Sequence, residues 1–272
     1  MEWIILFLIG LCGGTLGSLL GLGGGIIVVP ALLFFSPYLS ILNDLPPQIA
    51  VGTSLVVIIF TGLSSTLAYM KYKKVDYKSG LILFIGSGPG ALLGAWVNKS
   101  LNTDSFFVYF GLFMILCSIL LFFNDRMKPK KKEISSGIIR KFVDNQGQEH
   151  VYGFHPLMGF VVAFSVGFLS GLFGIGGGSL MVPAMIMLFS FPPHIAVATS
   201  MFIIFLSAIV GSFTHISLGH VNWLYLILLI PGAWIGGKWG AAINQRLKSK
   251  QIVMLLRIIL IIVGIRLIYQ GL

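Results

Sequence analysis

The stretch GLGGGIIVVPA at residues 21–31 decides the fold, because the chain repeats it as GIGGGSLMVPA at residues 174–184. Seven of the eleven positions are identical: four glycines and the closing Val-Pro-Ala. A glycine costs about 1 kcal/mol relative to alanine inside a helix. A proline removes a backbone donor and clashes with the preceding turn. We therefore predict that each copy interrupts a helix.

The composition is that of a membrane protein. Of the 272 residues, 57% are hydrophobic and only 10% are charged, against about 25% charged residues in a soluble domain. Apolar runs of about 20 residues recur along the chain, which predicts a multi-pass protein of the cell (inner) membrane. The net charge of +10 comes mostly from short loops beside these runs. Such loops are typical of cytoplasmic segments, so we expect no nucleic-acid partner.

The duplication extends beyond the glycine motif. IAVGTS at 49–54 is matched by IAVATS at 195–200, and we align Pro89-Gly90 with Pro231-Gly232. We therefore divide the chain into a first transmembrane repeat at 1–123, a basic cytoplasmic linker at 124–155 and a second transmembrane repeat at 156–272. Internal duplication of this kind is typical of transporters.

The fold class that follows is an all-α polytopic membrane protein with two four-element repeats. Each repeat has one glycine-broken helix and three full spans. The pieces before and after a break are about 27 Å and 16 Å long as helices, which together exceed one crossing of about 20 residues. We favour broken helices that re-enter, and hence inverted repeats. Inversion places Arg246, Lys248 and Lys250 in the cytoplasm and the C-terminus outside. A kinked helix that crosses the membrane stays open as the alternative.

The breaks are the predicted binding site. Irregular backbone inside a bilayer survives only when it is buried in protein or lines a cavity. The first amides of a helix have no intrahelical acceptor and carry the positive end of its dipole. We expect the two helix starts to face one anion near the bilayer midplane. The candidate glycines are Gly23, Gly24, Gly25, Gly176, Gly177 and Gly178. Close helix contact through small residues is the alternative role for them.

Other candidates come from polar side chains in the spans. None of the eight acidic residues lies in the middle of a predicted span, which argues against a cation carrier. The hydroxyls of Thr53, Ser54, Thr199 and Ser200 can donate to an anion or bond back to a helix carbonyl. Arg257 can bind a sulfonate or carboxylate bidentately if it faces a cavity.

The doubled glycine motif, IAVGTS and IAVATS, the Pro-Gly spans and the basic linker together resemble the sulfite exporter TauE/SafE family, also called the toluene sulfonate uptake permease family. The resemblance covers essentially the whole chain. It implies a secondary carrier, often an exporter, of small sulfur-containing or organic anions such as sulfonates, sulfoacetate or sulfite. The sulfur chemistry comes from the resemblance alone.

We therefore predict a secondary transporter that exports small organosulfur anions by alternating access. An anion channel, or a permease for a carboxylate, is the alternative. A membrane enzyme ranks last, because the spans lack a Ser-His-Asp set, a metal cluster and paired carboxylates. A packing-only scaffold is a further alternative, which depends on whether the glycine breaks line an apolar wall or a polar cavity. We expect no cofactor and no metal. The expected partners are a small anionic substrate and the lipid bilayer, and the sequence leaves a homodimer open.

Overall fold

The computed structural model describes residues 2–39, 42, 45–126, 137–143, 149–245 and 250–272. The lysine-rich run at 128–132 and two of the loop cations used above, Arg246 and Lys248, lie outside these residues. The side chains of Lys250 and Arg257 also lie outside the description, although both residues belong to a described helix.

The chain is mainly helical. The first half forms α1 (Glu2–Leu20), α2 (Gly25–Phe35), α3 (Pro47–Lys71), α4 (Tyr77–Asn98) and α5 (Thr103–Arg126). The second half forms α6 (Pro156–Phe173), α7 (Gly178–Phe189), α8 (Pro193–Ser217), α9 (Trp223–Asn244) and α10 (Lys250–Gly271). Seven helices in the described part, α1, α3, α4, α5, α6, α8 and α9, are long and apolar enough to cross a membrane. The prediction of a multi-pass, mainly α-helical membrane protein is confirmed.

Equivalent helices of the two halves begin with the same local chemistry. A proline occupies the first position of α3 and of α8, where its missing N–H is not needed and its fixed φ suits a helix. Asp76 caps α4 by accepting from the amide of Ser79 at 3.1 Å. Asn222 caps α9 by accepting from the amide of Leu224 at 3.0 Å. Side-chain caps of this kind satisfy amides that have no partner inside the helix.

Two helix pairs join the halves through glycines. α1 lies parallel to α9, and a Cβ added at Gly14 would lie 2.6 Å from the carbonyl oxygen of Ala233. α4 lies parallel to α6 in the same way, and a Cβ added at Gly86 would lie 2.7 Å from the carbonyl oxygen of Phe160. Small residues let the two backbones of each pair come this close.

The glycines of these pairs fix the register between the halves. Gly86, Gly90 and Gly94 of α4 contact α6 as Gly232, Gly236 and Gly240 of α9 contact α1. The alignment of Pro89-Gly90 with Pro231-Gly232 is therefore wrong. Gly232 is equivalent to Gly86, so the two prolines lie one helical turn apart. This spacing of four between the glycines of α4 and of α9 was not predicted.

The central helices run in opposite directions. Gly62 of α3 lies against Phe205 of α8, whereas Leu55 of α3 lies against Gly211. α5 and α10 are likewise antiparallel, since Gly111 contacts Gly264 and Asp104 contacts Gly271. α3 and α8 are also the most buried of the candidate spans, so they form the centre of the molecule.

The linker contains a β-hairpin that the sequence analysis did not predict. β1 (Ile138–Val143) pairs antiparallel with β2 (Glu149–Phe154). The rings of Tyr152 and Phe154 are buried at 3% exposure each. Tyr152 packs on Phe191 with ring centroids 4.3 Å apart, and Phe154 lies 5.1 Å from Phe189 at the end of α7. The hairpin is thus anchored to the helical part by aromatic contacts.

Candidate functional site

The two breaks meet at the centre of the molecule. Gly24 and Gly177 precede α2 and α7 with φ of 91° and 67°, a backbone conformation that glycine adopts readily and other residues do not. A side chain at Gly25 would collide with the carbonyl oxygen of Gly174, and one at Gly178 with that of Gly21. Each helix start therefore lies directly against the break of the other half.

Each break folds its second helix back along its first. A Cβ added at Gly13 of α1 would lie 2.7 Å from Cγ2 of Val28 in α2. At the second break, a Cβ added at Gly177, the residue before α7, would lie 3.0 Å from Cγ1 of Val166 in α6, and α7 itself also contacts α6. Ile204 of α8 is the common neighbour of the two glycine runs, because it contacts both Gly23 and Gly176. The breaks consequently lie near the middle of α8, which runs from Pro193 to Ser217.

The predicted serines tie each break to the opposite half. The Ser54 hydroxyl of α3 donates to the carbonyl oxygen of Gly174 at 2.9 Å. The single proton of the Ser200 hydroxyl in α8 is shared between two carbonyl oxygens, those of Gly21 at 3.0 Å and Val197 at 2.8 Å. Both serines are fully buried. Their hydroxyls are thus occupied by backbone in this conformation.

The predicted threonines have a structural partner as well. The Thr53 hydroxyl oxygen accepts from the amide of Asn222 at 3.0 Å. The Thr199 hydroxyl oxygen accepts from the amide of Asp76 at 3.0 Å. Thr53 of α3 therefore holds Asn222, which caps α9 in the other half. Thr199 of α8 holds Asp76, which caps α4. The four hydroxyls form two equivalent pairs of bonds between the halves.

Some amides at the two helix starts have no acceptor. The amides of Ile27 and Val28 donate to the carbonyl oxygen of Gly24 at 3.0 Å each. The amides of Gly24, Gly25 and Ile26 find no acceptor among the described residues. At the second break the same holds for Gly177 and Ser179. These are donors that an anion can satisfy, as predicted for a helix start.

A small cavity adjoins the second break at Gly176 and Gly177. Its volume is about 10 Å3, and its lining combines three serine hydroxyls with apolar side chains: Ser87, Ser170 and Ser207 with Val166, Met181, Ile203 and Ile204. The hydroxyl oxygens of Ser87 and Ser207 lie 2.7 Å apart. The buried hydroxyl of Ser170 has no hydrogen-bond partner among the described residues. A volume of this size holds about one water molecule.

Only one of the three cavity hydroxyls has a counterpart in the opposite half. In the register fixed above, Ser87 corresponds to Ala233, Ser207 to Thr61 and Ser170 to Gly17. None of the three serines was predicted as a site residue. Ser207 could have been found, because it follows Ser200 by seven residues and so lies on the same face of its helix. Ser87 and Ser170 carry no comparable signal.

The structure brings the six predicted glycines together, with Ser54 and Ser200 bonded to the breaks. The expected substrate-sized cavity between the halves is not formed in this conformation, since the breaks lie in contact with one another. Arg257 belongs to α10, which packs mainly against α5, and its side chain is outside the described part. The site residues stay a prediction.

The other cations in the spans have aromatic neighbours. The Arg266 guanidinium lies 4.2 Å from the ring centroid of Phe34. The Lys238 ammonium lies 5.4 Å from the ring centroid of Trp234. Both distances fall within the range of cation–π contacts. These contacts account for the two side chains without a role at the breaks.

Comparisons with known proteins support a transporter. The chain matches the family described as "Sulfite exporter TauE/SafE" over residues 6–267. It is 59% identical over 271 residues to a Bacillus subtilis protein named "Probable membrane transporter protein YunE", covering 100% of this chain and 99% of that protein.

More distant relatives carry the same kind of name. A probable membrane transporter protein of Methanocaldococcus jannaschii is 30% identical over 272 residues, covering 96% of this chain and 93% of that protein. Another Bacillus subtilis protein, "Probable membrane transporter protein YjnA", is 25% identical over 275 residues, with coverage of 97% and 99%. No solved structure matches the chain. Because the family match extends from α1 to α10, the chain belongs to the sulfite exporter TauE/SafE family of membrane transporters.

Proposed function

We propose that this transporter exports a small organosulfur oxyanion, such as a sulfonate, sulfoacetate or sulfite, by alternating access across the cell membrane. The observation that carries the proposal is the meeting of two helix starts at the centre of the molecule. Amides without an acceptor lie at both starts, and the unpaired Ser170 hydroxyl lies beside the second. An oxyanion accepts several such donors at once, and the helix dipoles favour its charge.

Inverted repeats agree with the helix directions. Helices that correspond in the two halves run antiparallel where they touch, as α3 with α8 and α5 with α10. Corresponding spans in parallel repeats would point the same way across the membrane. The return of α2 along α1 agrees with a re-entrant hairpin. These contacts support the inverted, re-entrant arrangement over a broken helix that crosses the membrane.

Loop charges set the orientation. The loop between α3 and α4 carries Lys73 and Lys74, flanked by Lys71 and Lys78. Such an excess of lysine marks the cytoplasmic side. The linker between the halves emerges on that side too, and the C-terminus then lies outside. Export of an anion from a negative interior is downhill by about 2.3 kcal/mol per charge per 100 mV.

The closed centre favours alternating access over a channel. An anion can reach the amides only if the two breaks separate, because the present cavity holds about one water molecule. Separation must break the bonds of Ser54 to Gly174 and of Ser200 to Gly21. Binding is thus coupled to movement of one half against the other.

Flux into proteoliposomes tests the proposal. Purified protein is reconstituted, and uptake of a labelled sulfonate, sulfite and a carboxylate of equal charge is followed under an imposed membrane potential. We expect saturable flux of the sulfur oxyanions and counterflow on preloading, which a channel does not give. Absence of flux for every sulfur anion, in folded protein, would refute the substrate class. Flux of the carboxylate faster than that of the sulfur oxyanions would mean that the site binds a non-sulfur anion.

Ser170→Ala tests the position of the site. Its hydroxyl has no partner to lose, so the change should leave folding intact. A hydrogen bond to a charged ligand contributes about 1.5–3 kcal/mol, which predicts a rise in KM of roughly 10- to 150-fold. Ser165→Ala is the matched control on the same helix, because that exposed hydroxyl bonds only to the carbonyl oxygen of Val161. Equal flux in both variants would place the anion elsewhere.

A further inference from the structure

A second polar pocket lies where the β-hairpin meets the loop between α3 and α4. Its volume is about 190 Å3. The cations that line it are Lys73, Lys74, Arg140 and Lys141, and Asp76 is the only carboxylate among its described lining residues. Lys73 and Lys74 come from the loop, whereas Arg140 and Lys141 come from β1. Four cations around one small volume make this a strongly positive site.

The Asp76 carboxylate forms no salt bridge with the described cations of the pocket. One of its oxygens accepts from the Ser79 amide at 3.1 Å. The other accepts from the Ser79 hydroxyl at 2.6 Å and from the Tyr152 hydroxyl at 3.0 Å. Asp76 is therefore used to cap α4 and to hold the hairpin.

The lining cations are incompletely paired. The Arg140 Nε is buried and has no hydrogen-bond partner among the described residues. Lys74 donates to the neutral side-chain oxygen of Gln245 at 2.5 Å. Lys141 pairs with Glu149 at 2.8 Å, but both side chains are exposed, so the pair contributes little. Burial lowers the pKa of Lys74, which a nearby anion would oppose.

The backbone at Lys73 indicates a role for its side chain. Lys73 has a φ of 53°, whereas the corresponding Gly219 of the second half has a φ of 73°. Glycine adopts this conformation freely, but another L-residue pays about 1–2 kcal/mol. The first half therefore carries a cation at a position where the second half has the residue that the backbone favours.

The walls of the pocket are held in place. Arg140 and Tyr152 face each other in the β ladder. Tyr152 bonds to Asp76 on the loop, and its ring packs on Phe191. The Asp76 amide in turn donates to Thr199 of α8. The cations are thus positioned by both strands, the loop and α8.

We propose that this pocket binds a small tetrahedral oxyanion of the phosphate or sulfate type on the cytoplasmic face. Its volume is below the range of about 300–1,000 Å3 typical for larger ligands, which favours a single oxyanion over a nucleotide. Arg140 supplies planar paired donors for two oxygens, and Lys73 supplies a compact charge. Because the cations come from the hairpin and from the loop, the bound anion holds these two segments together.

Binding of inorganic sulfate and phosphate tests the site independently of transport. Each anion is titrated into the purified full-length protein in a neutral detergent, at an ionic strength kept constant with chloride, and the heat of binding is measured. We expect saturable binding that Arg140→Gln weakens by tenfold or more and that Arg140→Lys weakens less. Lys78→Gln is the matched control, because it removes the same charge from an exposed position outside the pocket.

A lipid headgroup offers the same phosphate chemistry, so the second arm uses nanodiscs. Phosphatidylcholine discs with and without phosphatidylglycerol are compared by thermal unfolding. An Arg140-dependent rise in Tm with phosphatidylglycerol, without binding of free phosphate, identifies the headgroup as the source. Binding of free anion in both discs identifies a soluble oxyanion. The proposal is wrong if neither arm depends on Arg140, or if Lys78→Gln weakens binding as much. Equal Tm values of the variants in chloride show that the fold is retained.

Discussion

The hydroxyl of Ser54 lies 2.9 Å from the carbonyl oxygen of Gly174 and donates to it. This bond joins the central helix of one half to the helix break of the other, and Ser200 repeats it toward Gly21. Neither break can move away from the centre without losing a buried hydrogen bond. The breaks of the two halves are therefore mechanically coupled through α3 and α8.

Removing either serine hydroxyl should destabilise the closed centre. Hydrogen bonds between membrane helices contribute about 0.6 kcal/mol on average and up to about 1.7 kcal/mol. Ser54→Ala and Ser200→Ala should each lower the free energy of unfolding by an amount in this range, because a buried carbonyl loses its donor. Unfolding in mixed detergent measures the effect. A loss no larger than that of Ser165→Ala would contradict the coupling.

The glycines before α2 and α7 should differ in their tolerance of alanine. A Cβ at Gly24 would lie 2.7 Å from the backbone oxygen of Gly13, whereas one at Gly177 would lie 3.0 Å from the side chain of Val166. A positive φ alone lowers the free energy of unfolding by about 1–2 kcal/mol when a residue other than glycine adopts it. We expect Gly24→Ala to lower the free energy of unfolding by clearly more than that. Gly177→Ala should lower it by less than Gly24→Ala does.

Gly219→Ala calibrates these glycine variants. Its φ is 73° and no atom lies within 4 Å of an added Cβ. In the same unfolding assay, Gly219→Ala should therefore lower the free energy of unfolding only by the cost of its positive φ. Equal losses for Gly24→Ala and Gly219→Ala would show that the close contact with α1 is absent in solution.

Asn98 and Asn244 should control access from opposite sides. The Asn98 amide donates to the carbonyl oxygen of Leu172 at 2.8 Å, and Asn244 donates to that of Leu19 at 2.7 Å. Each bond holds the end of the helix that precedes a break. In the proposed orientation, Asn98→Ala loosens the external end and Asn244→Ala the cytoplasmic end.

Thiol labelling measures this difference between the two asparagine variants. Cys12 and Cys117 are first replaced by alanine, and single cysteines are placed at Phe173 or at Leu20. A membrane-impermeant reagent added outside should react faster at Phe173→Cys in the Asn98→Ala background. The reagent added inside should react faster at Leu20→Cys in the Asn244→Ala background. A change on the same side in both backgrounds would contradict inverted repeats.

The histidine in the loop between α8 and α9 should make stability fall in acid. Burial and the charge of Lys99 lower the pKa of His220. Its folded-state pKa is below the unfolded value of about 6.5, so protonation favours unfolding and stability is lost as the pH falls below that value. Lys99→Gln should raise the pKa of His220, as NMR titration of labelled histidine can show. An unchanged titration would mean that Lys99 does not act on the ring, and Lys78→Gln is the control for net charge.

The helices could be predicted from the sequence because their signals are local. α6 runs from Pro156 to Phe173, so it begins at the predicted start of the second repeat and ends one residue before the repeated glycine motif. α2 begins at Gly25, inside the first copy of that motif, where a helix break was predicted. Apolar length, prolines and glycines act within a few residues, and the sequence displays all of them.

The remaining features depend on contacts between distant residues. Ser87 and Ser207 are 120 positions apart, and each alone resembles any serine in a span. The β-hairpin depends on Tyr152 packing against Phe191 and on Phe154 packing against Phe189 at the end of α7. The polar sequence of the linker does not reveal these contacts. The proline alignment was wrong because the register is set by glycines on the contact face, not by the residue types that look most alike.

The central claim is that the two helix starts bind the transported anion. A structure determined by electron cryomicroscopy with a bound aryl sulfonate tests it most directly. We predict density for the sulfonate beside the amides of Gly24–Ile26, or beside the amides of Gly177 and Ser179 and the Ser170 hydroxyl, with the two breaks separated. Sulfonate density at another place, while Gly25 still contacts Gly174 and Gly178 still contacts Gly21, would contradict it.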